Sequence, residues 1–155
     1  MRVSWFCLLL CLAGTNPSMA NDALDAAFER DVLIIEASQH ACYRFDIWLA
    51  LDRSQQQRGL MRVREMPQTF GMLFVYDDTG YYSMWMKNTY ISLDIAFARA
   101  DGSISNIAAN TEPLSLTSIR STDAVNYVLE LNAGVAQRLS IDEQSRLLWG
   151  PTFAL

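Results

Sequence analysis

Nine consecutive residues alternate strictly: Tyr43, Phe45, Ile47, Leu49 and Leu51 on one side, Arg44, Asp46, Trp48 and Ala50 on the other. A side-chain period of two belongs to a β-strand, whereas a helix would need apolar residues three and four apart. This is the clearest strand in the chain, and shorter apolar runs repeat its pattern. Val32 to Ile35, Gly71 to Tyr76, Tyr81 to Lys87, Leu93 to Arg99, Val125 to Leu131 and Arg146 to Trp149 read as strands, and Ile104 and Ile107 lie in a return strand. Turn signals separate them. Asp77-Asp78-Thr79-Gly80 reads as a turn and Asp101-Gly102 as a hairpin. Two short helices fit between. Asp52 or Ser54 can cap the first, with Gly59 closing it in the left-handed conformation, and Asn132 can cap a second over Ala133 to Leu139. The expectation is a mainly β protein, a single β-barrel-like or sandwich domain with one or two short helices.

The N-terminus reads differently. Arg2 precedes an apolar run from Trp5 to Ala13, Pro17 breaks it, and Ser18-Met19-Ala20 places small residues around a cut after Ala20. This is the pattern of a secretory signal peptide over residues 1–20, too short to span a bilayer. Residues 21–30 then form an N-terminal arm, with Leu24 and Phe28 four apart, and residues 31–155 form the domain. An exported chain, in the periplasm or outside the cell, is the expectation. Neither Cys7 nor Cys11 follows a small residue as a lipid-attachment cysteine would, and no later segment is apolar enough to span a membrane.

Cleavage would remove Cys7 and Cys11 and leave Cys42 alone, so the domain would fold without an internal disulfide. Cys42 itself, beside Tyr43 and Phe45, reads as a buried small hydrophobe. Cleavage also takes Arg2 from 12 basic residues and none from 17 acidic ones, moving the formal net charge from −5 to −6. That balance argues against nucleic acid and anionic lipid as partners.

Four segments carry a resemblance. They are Arg58-Gly59-Leu60-Met61; Gly71-Met72-Leu73-Phe74; Trp85-Met86-Lys87-Asn88-Thr89 with Leu93-Asp94-Ile95-Ala96-Phe97 downstream; and Leu129-Glu130-Leu131-Asn132-Ala133-Gly134. In this order and spacing, over roughly residues 31–149, the chain resembles the domain of unknown function 192 family, DUF192. The resemblance implies a compact β-barrel-like or sandwich fold, often exported, and implies no accepted activity. The chain departs from the family pattern at Met84, where an aromatic is common, and over residues 110–117, which lack cysteine.

Several motif residues carry chemistry. Lys87 is the single lysine of the chain and shares an extended face with Ser83 and Trp85. It suits an anion anchor, a cation–π partner or a desolvated base. Asp94 and Glu130 each stand between two large aliphatics, where a carboxylate either faces solvent or needs a partner such as Arg58 or Lys87. Arg58, Trp85, Lys87, Asn88, Asp94, Glu130 and Asn132 therefore form a candidate ligand-binding constellation, which can equally be the polar glue of a barrel.

Three functions follow as expectations. The first is a binding or accessory module of the cell envelope, for a small acidic or amphipathic ligand or another envelope component. The second is an envelope hydrolase or lyase using Asp94, Glu130 or Lys87, which requires at least two of those side chains to converge at a cleft. The third is copper(I) handling through Met84 and Met86, with His40 and Cys42 nearby. No cofactor signature, phosphate loop, zinc spacing or nucleophile elbow is present, and His40 is the single histidine.

Overall fold

The computed structural model describes residues 19–38 and 41–150. The strongest alternation forms β2, Cys42–Ala50, and it lies inside a seven-stranded sheet. The other members are β1 (Glu29–Glu36), β3 (Phe70–Gly80), β5 (Leu93–Ala98), β6 (Ile104–Ala108), β8 (Val125–Asn132) and β9 (Arg146–Leu148). Their order is β6-β5-β8-β3-β2-β1-β9. All neighbours are antiparallel except β2 and β3, which run parallel because α2 (Arg53–Arg58) and a loop return the chain between them. β4 (Ser83–Met84) and β7 (Ile119–Arg120) make a separate two-stranded ribbon. With α1 (Met19–Asp25) and α3 (Val135–Leu139), the described residues hold three short helices.

The sheet curls until its ends nearly meet. Ser103 bridges Arg146, Ile104 N–H donates to the Ser145 carbonyl at 3.2 Å, and Leu147 N–H donates to the Gly102 carbonyl at 2.8 Å. The Asp101-Gly102 hairpin makes this approach possible. Gly102 has φ +84°, and a Cβ there would lie 2.1 Å from the Leu147 carbonyl oxygen.

Strand alternation divides the apolar residues into two cores. Leu33, Ile35, Phe45, Ile47, Leu73 and Leu129, among others, fill the barrel interior with α3 across it. The opposite face of β2, β3, β5 and β8 carries Trp48, Met72, Phe74, Ile95, Phe97 and Val128. α1 and the loops after α2 cover that face with Leu24, Phe28, Leu60 and Val63. Two buried faces explain why Trp48 and Ala50, on the second side of the β2 alternation, are buried rather than solvated. They also give a domain without disulfides a large apolar area to bury.

Several expectations change. Cys42 is exposed, because the strand begins there before the sheet is covered. Asp77 to Gly80 is a continuation of β3, with a register irregularity between Val75 and Gly80. The run from Tyr81 to Lys87 is strand only at Ser83–Met84. Asn132 does not cap α3, whose N-cap is Gly134. The first helix keeps its expected cap, since Asp52 accepts from Gln55 N–H at 2.8 Å and the Gln55 side chain reaches back; Gly59 ends it with a positive φ of +46° but a ψ of −137°, not the left-handed helical conformation expected of it. Residues 1–18 of the export signal and His40 lie outside the described residues, and Met19 and Ala20 open α1.

Candidate functional site

A cleft of about 680 Å³ lies on the second face of the sheet, over β3 and β8. Its floor is Phe74 and Tyr76 of β3 with Glu130 of β8. One wall is α2 and its exit, contributing Arg53, Gln56, Arg58, Leu60 and Met61. The other is the motif turn, with Ser83, Met84, Trp85, Lys87 and Thr89, and Leu116 and Ser118 beside it. The capping box at Asp52 fixes the first wall. The second wall is held from behind. Met86 N–H donates to the Ser115 carbonyl, Leu114 N–H to the Thr89 carbonyl, and Thr111 Oγ1 donates to Met86 Sδ at 3.3 Å.

The chemistry of the cleft is asymmetric in depth. Glu130 is 4 % exposed, and its Oε2 has no hydrogen-bond partner among the described residues. Burial without a partner opposes ionisation and pushes the carboxyl up to about 8, so the group is mostly neutral at pH 7. Tyr76 is raised to about 12, first by burial, then by Glu130 and Tyr82. Its ring stacks on Tyr82 with centroids 3.7 Å apart, and its hydroxyl faces Met84 Sδ at 3.9 Å. At the rim stand three exposed cations, Arg53, Arg58 and Lys87, none in an ion pair among the described residues. Lys87 Nζ sits 5.0 Å from the half-exposed Trp85 ring. Arg58 donates to the Ala23 carbonyl at 3.1 Å and lies over Phe28, which ties the rim to α1.

Of the seven residues singled out from sequence, Arg58, Trp85, Lys87 and Glu130 meet in this cleft. Asn88 is adjacent, lining a second depression with Arg58 and Met61. Its φ of +57° makes the motif turn, and its carbonyl accepts from Arg62 N–H at 2.8 Å. Asp94 and Asn132 are elsewhere. Asp94 points to the barrel interior, pairing in register with Leu131, while Glu130 pairs with Ile95 on the other face. Its oxygens accept from Asn110 N–H and Ala136 N–H, both at 2.9 Å, so Asp94 serves α3 as the cap that Gly134 cannot supply. Asn132 donates to the Met66 and Pro67 carbonyls and holds the loop before β3.

The geometry bears on the other expectations. Asp94 and Glu130 on opposite faces of one sheet cannot act on one bond, so a two-carboxylate acid–base pair does not form. Met84 lines the cleft, while Met86 is buried with its sulfur engaged by Thr111, so the two do not share a face. Among the described residues no three His, Cys, Asp or Glu side chains gather as metal ligands, and no helix is long and apolar enough to cross a membrane. Sequence reading missed Tyr76 and Arg53. Tyr76 was legible as the end of an apolar strand alternating with Phe74, but Arg53 carried no signal beyond its place after a cap.

Known structures share the fold. A protein from Sinorhizobium meliloti 1021, named as a candidate transcription regulator, is 39 % identical over 77 % of this chain and 93 % of its own, with a TM-score of 0.76. A protein of unknown function from Novosphingobium aromaticivorans DSM 12444 is 29 % identical over 88 % of this chain and 100 % of its own, with a TM-score of 0.78. No curated protein matches the chain. The profile of an uncharacterized ACR family, DUF192, matches residues 34–149, the span that holds both cores and the cleft, and the chain belongs to that family.

Proposed function

We propose that this protein is an exported binding module of the cell envelope whose cleft takes a small amphipathic ligand carrying an acidic group. The observation that supports this is the meeting of Trp85, Tyr76 and Phe74 with three rim cations, none ion-paired among the described residues, around one cleft of drug-molecule size. Aromatic walls favour an apolar body, and Arg53, Arg58 and Lys87 favour an anion at the mouth. Export supplies the compartment, and the sequence pattern at Ala20 is its support. The regulator description attached to the Sinorhizobium protein has little support here, since a chain of net charge −5 lacks the basic footprint that DNA requires.

Native mass spectrometry of the protein taken from the periplasm tests the reading, with octanoate titration followed by tryptophan emission. A retained small mass and an emission change that is lost in Trp85→Phe are expected. A bare protein mass with no octanoate response sinks the proposal. The same spectrum reports the N-terminus, and a mass that retains residues 1–20 would remove export by cleavage.

A further inference from the structure

The floor of the cleft poses a problem that an acidic ligand alone does not solve. Glu130 Oε2 is a buried acceptor with no donor in reach among the described residues. Such a group costs stability and is rarely left without a partner. β8 could bury an aliphatic here, as it does at Val128 on the same face. Glu130 shares the cleft with Phe74, Tyr76, Met84 and Trp85; it acts electrostatically on Tyr76, whose hydroxyl faces Met84 Sδ, and Trp85 is the most exposed of the four. A buried carboxyl in a cleft lined by aromatic rings and a thioether suits an ammonium group, because ring quadrupoles and a carboxylate both attract a cation. An anion at the floor would instead accept a hydrogen bond from the protonated carboxyl, with no proton released. All three cations stand at the rim, where an anion can reach them in water.

Resting on the binding reading above, we infer that the ligand is amphoteric: an amine-bearing acid whose ammonium end enters first and hydrogen-bonds to Glu130, with its carboxylate held at the mouth by Arg53, Arg58 and Lys87. An apolar chain between the two ends lies against Phe74, Tyr76 and Trp85. A short apolar peptide or an ω-amino acid has this order of groups. Binding carries a proton balance. The ammonium arrives already protonated, Glu130 gives up the proton it holds at pH 7, and that proton leaves to the buffer. The titratable and charged groups facing this event are Tyr76 from β3, Arg53 and Arg58 from α2, and Lys87 from the motif turn; β5 presents Leu93, Ile95 and Phe97 on this face. Tyr76 stays protonated throughout.

The experiment titrates the full chain at pH 7 with ω-aminoalkanoates, from aminopentanoate to aminodecanoate, and with alkanoates of the same lengths. Calorimetry in buffers of different ionisation enthalpy reads affinity and proton release together. The expected result is an ω-aminoalkanoate bound about tenfold or more tighter than its alkanoate, as a charge-assisted hydrogen bond allows. Close to one proton is then released, and Glu130→Gln loses both the preference and the release. Alkanoates bound equally well, without proton release, would overturn the amphoteric ligand and leave the binding module standing. A preference that survives in Glu130→Gln would also overturn it. Failure of both series to bind at millimolar concentration would overturn the binding reading, and this inference with it.

Discussion

Glu130 makes the same residue a liability for folding and a feature of the cleft. Below about pH 4.5 its carboxyl is protonated in both the folded and the unfolded chain. Between that value and about 8 only the folded chain keeps the proton, so stability falls as pH rises through this window. Each pH unit there costs about 1.4 kcal/mol, and above about 8 the loss is complete. Asp101 and Asp123, lowered chiefly by hydrogen bonds from Ser103 and Arg99, act only at the acidic end, where their contribution fades as pH falls. Thermal unfolding of the wild type should therefore show a falling midpoint from pH 5 to pH 8, and Glu130→Gln should flatten it; equal slopes would refute the burial argument. Cys42 gives a simpler check. As an exposed thiol at the start of β2, it should react with a maleimide in the native protein, and protection until unfolding would return it to the core.

Two carboxylates hold elements on opposite sides of the sheet, and only one of them, Asp52, works at the cleft. Asp94 secures α3 across the barrel interior by accepting from Ala136 N–H, and holds the loop after β6 by accepting from Asn110 N–H. Asp94→Ala leaves both without acceptors and should cost about 2–4 kcal/mol. Affinity measured on the folded fraction should not change, because the cleft is on the other face. A selective loss of affinity with stability intact would make Asp94 part of the site after all. Asp52 works at the cleft itself by capping α2, which carries Arg53 and Arg58. Removing the cap in Asp52→Ala should lower stability by about 1 kcal/mol in denaturant titration. The helix was legible from Asp52 and Gly59 because helix ends are local chemistry. The motif run Tyr81 to Lys87 was not legible as a turn. Its apolar character suits a strand, and its bend is held by tertiary bonds, Met86 N–H to the Ser115 carbonyl and, just after the run, Arg62 N–H to the Asn88 carbonyl and Leu114 N–H to the Thr89 carbonyl.

For the whole molecule, the sheet is nearly closed, and the tightest approach in that closure is at Gly102. Gly102→Ala meets both a left-handed backbone and a carbonyl oxygen too close for a methyl group. It should destabilise by more than about 3 kcal/mol, read as a loss in midpoint of chemical unfolding. A change under 1 kcal/mol would show that β6 and β9 do not depend on this contact. α1 also belongs to the whole molecule. The arm expected over residues 21–30 includes the end of this helix, and its Leu24, with Phe28 after it, covers the second core, while Trp48 donates to Asp25 at 2.7 Å.

Sequence by itself determined the mainly β class, most strands, the capped helix, the hairpin and the family, because each rests on short-range periodicity, turn chemistry or a linear motif. It also named four residues of the cleft. Tertiary structure decided which of the seven candidates meet. Asp94 and Glu130 look alike in sequence, each a carboxylate between two aliphatics. Antiparallel register places one strand's Asp94 beside Leu131 and the next strand's Glu130 beside Ile95, on opposite faces. One therefore finds two backbone donors inside the barrel, and the other is buried alone at the floor of a cleft. Register between strands is a long-range property, and no local pattern around either residue encodes it.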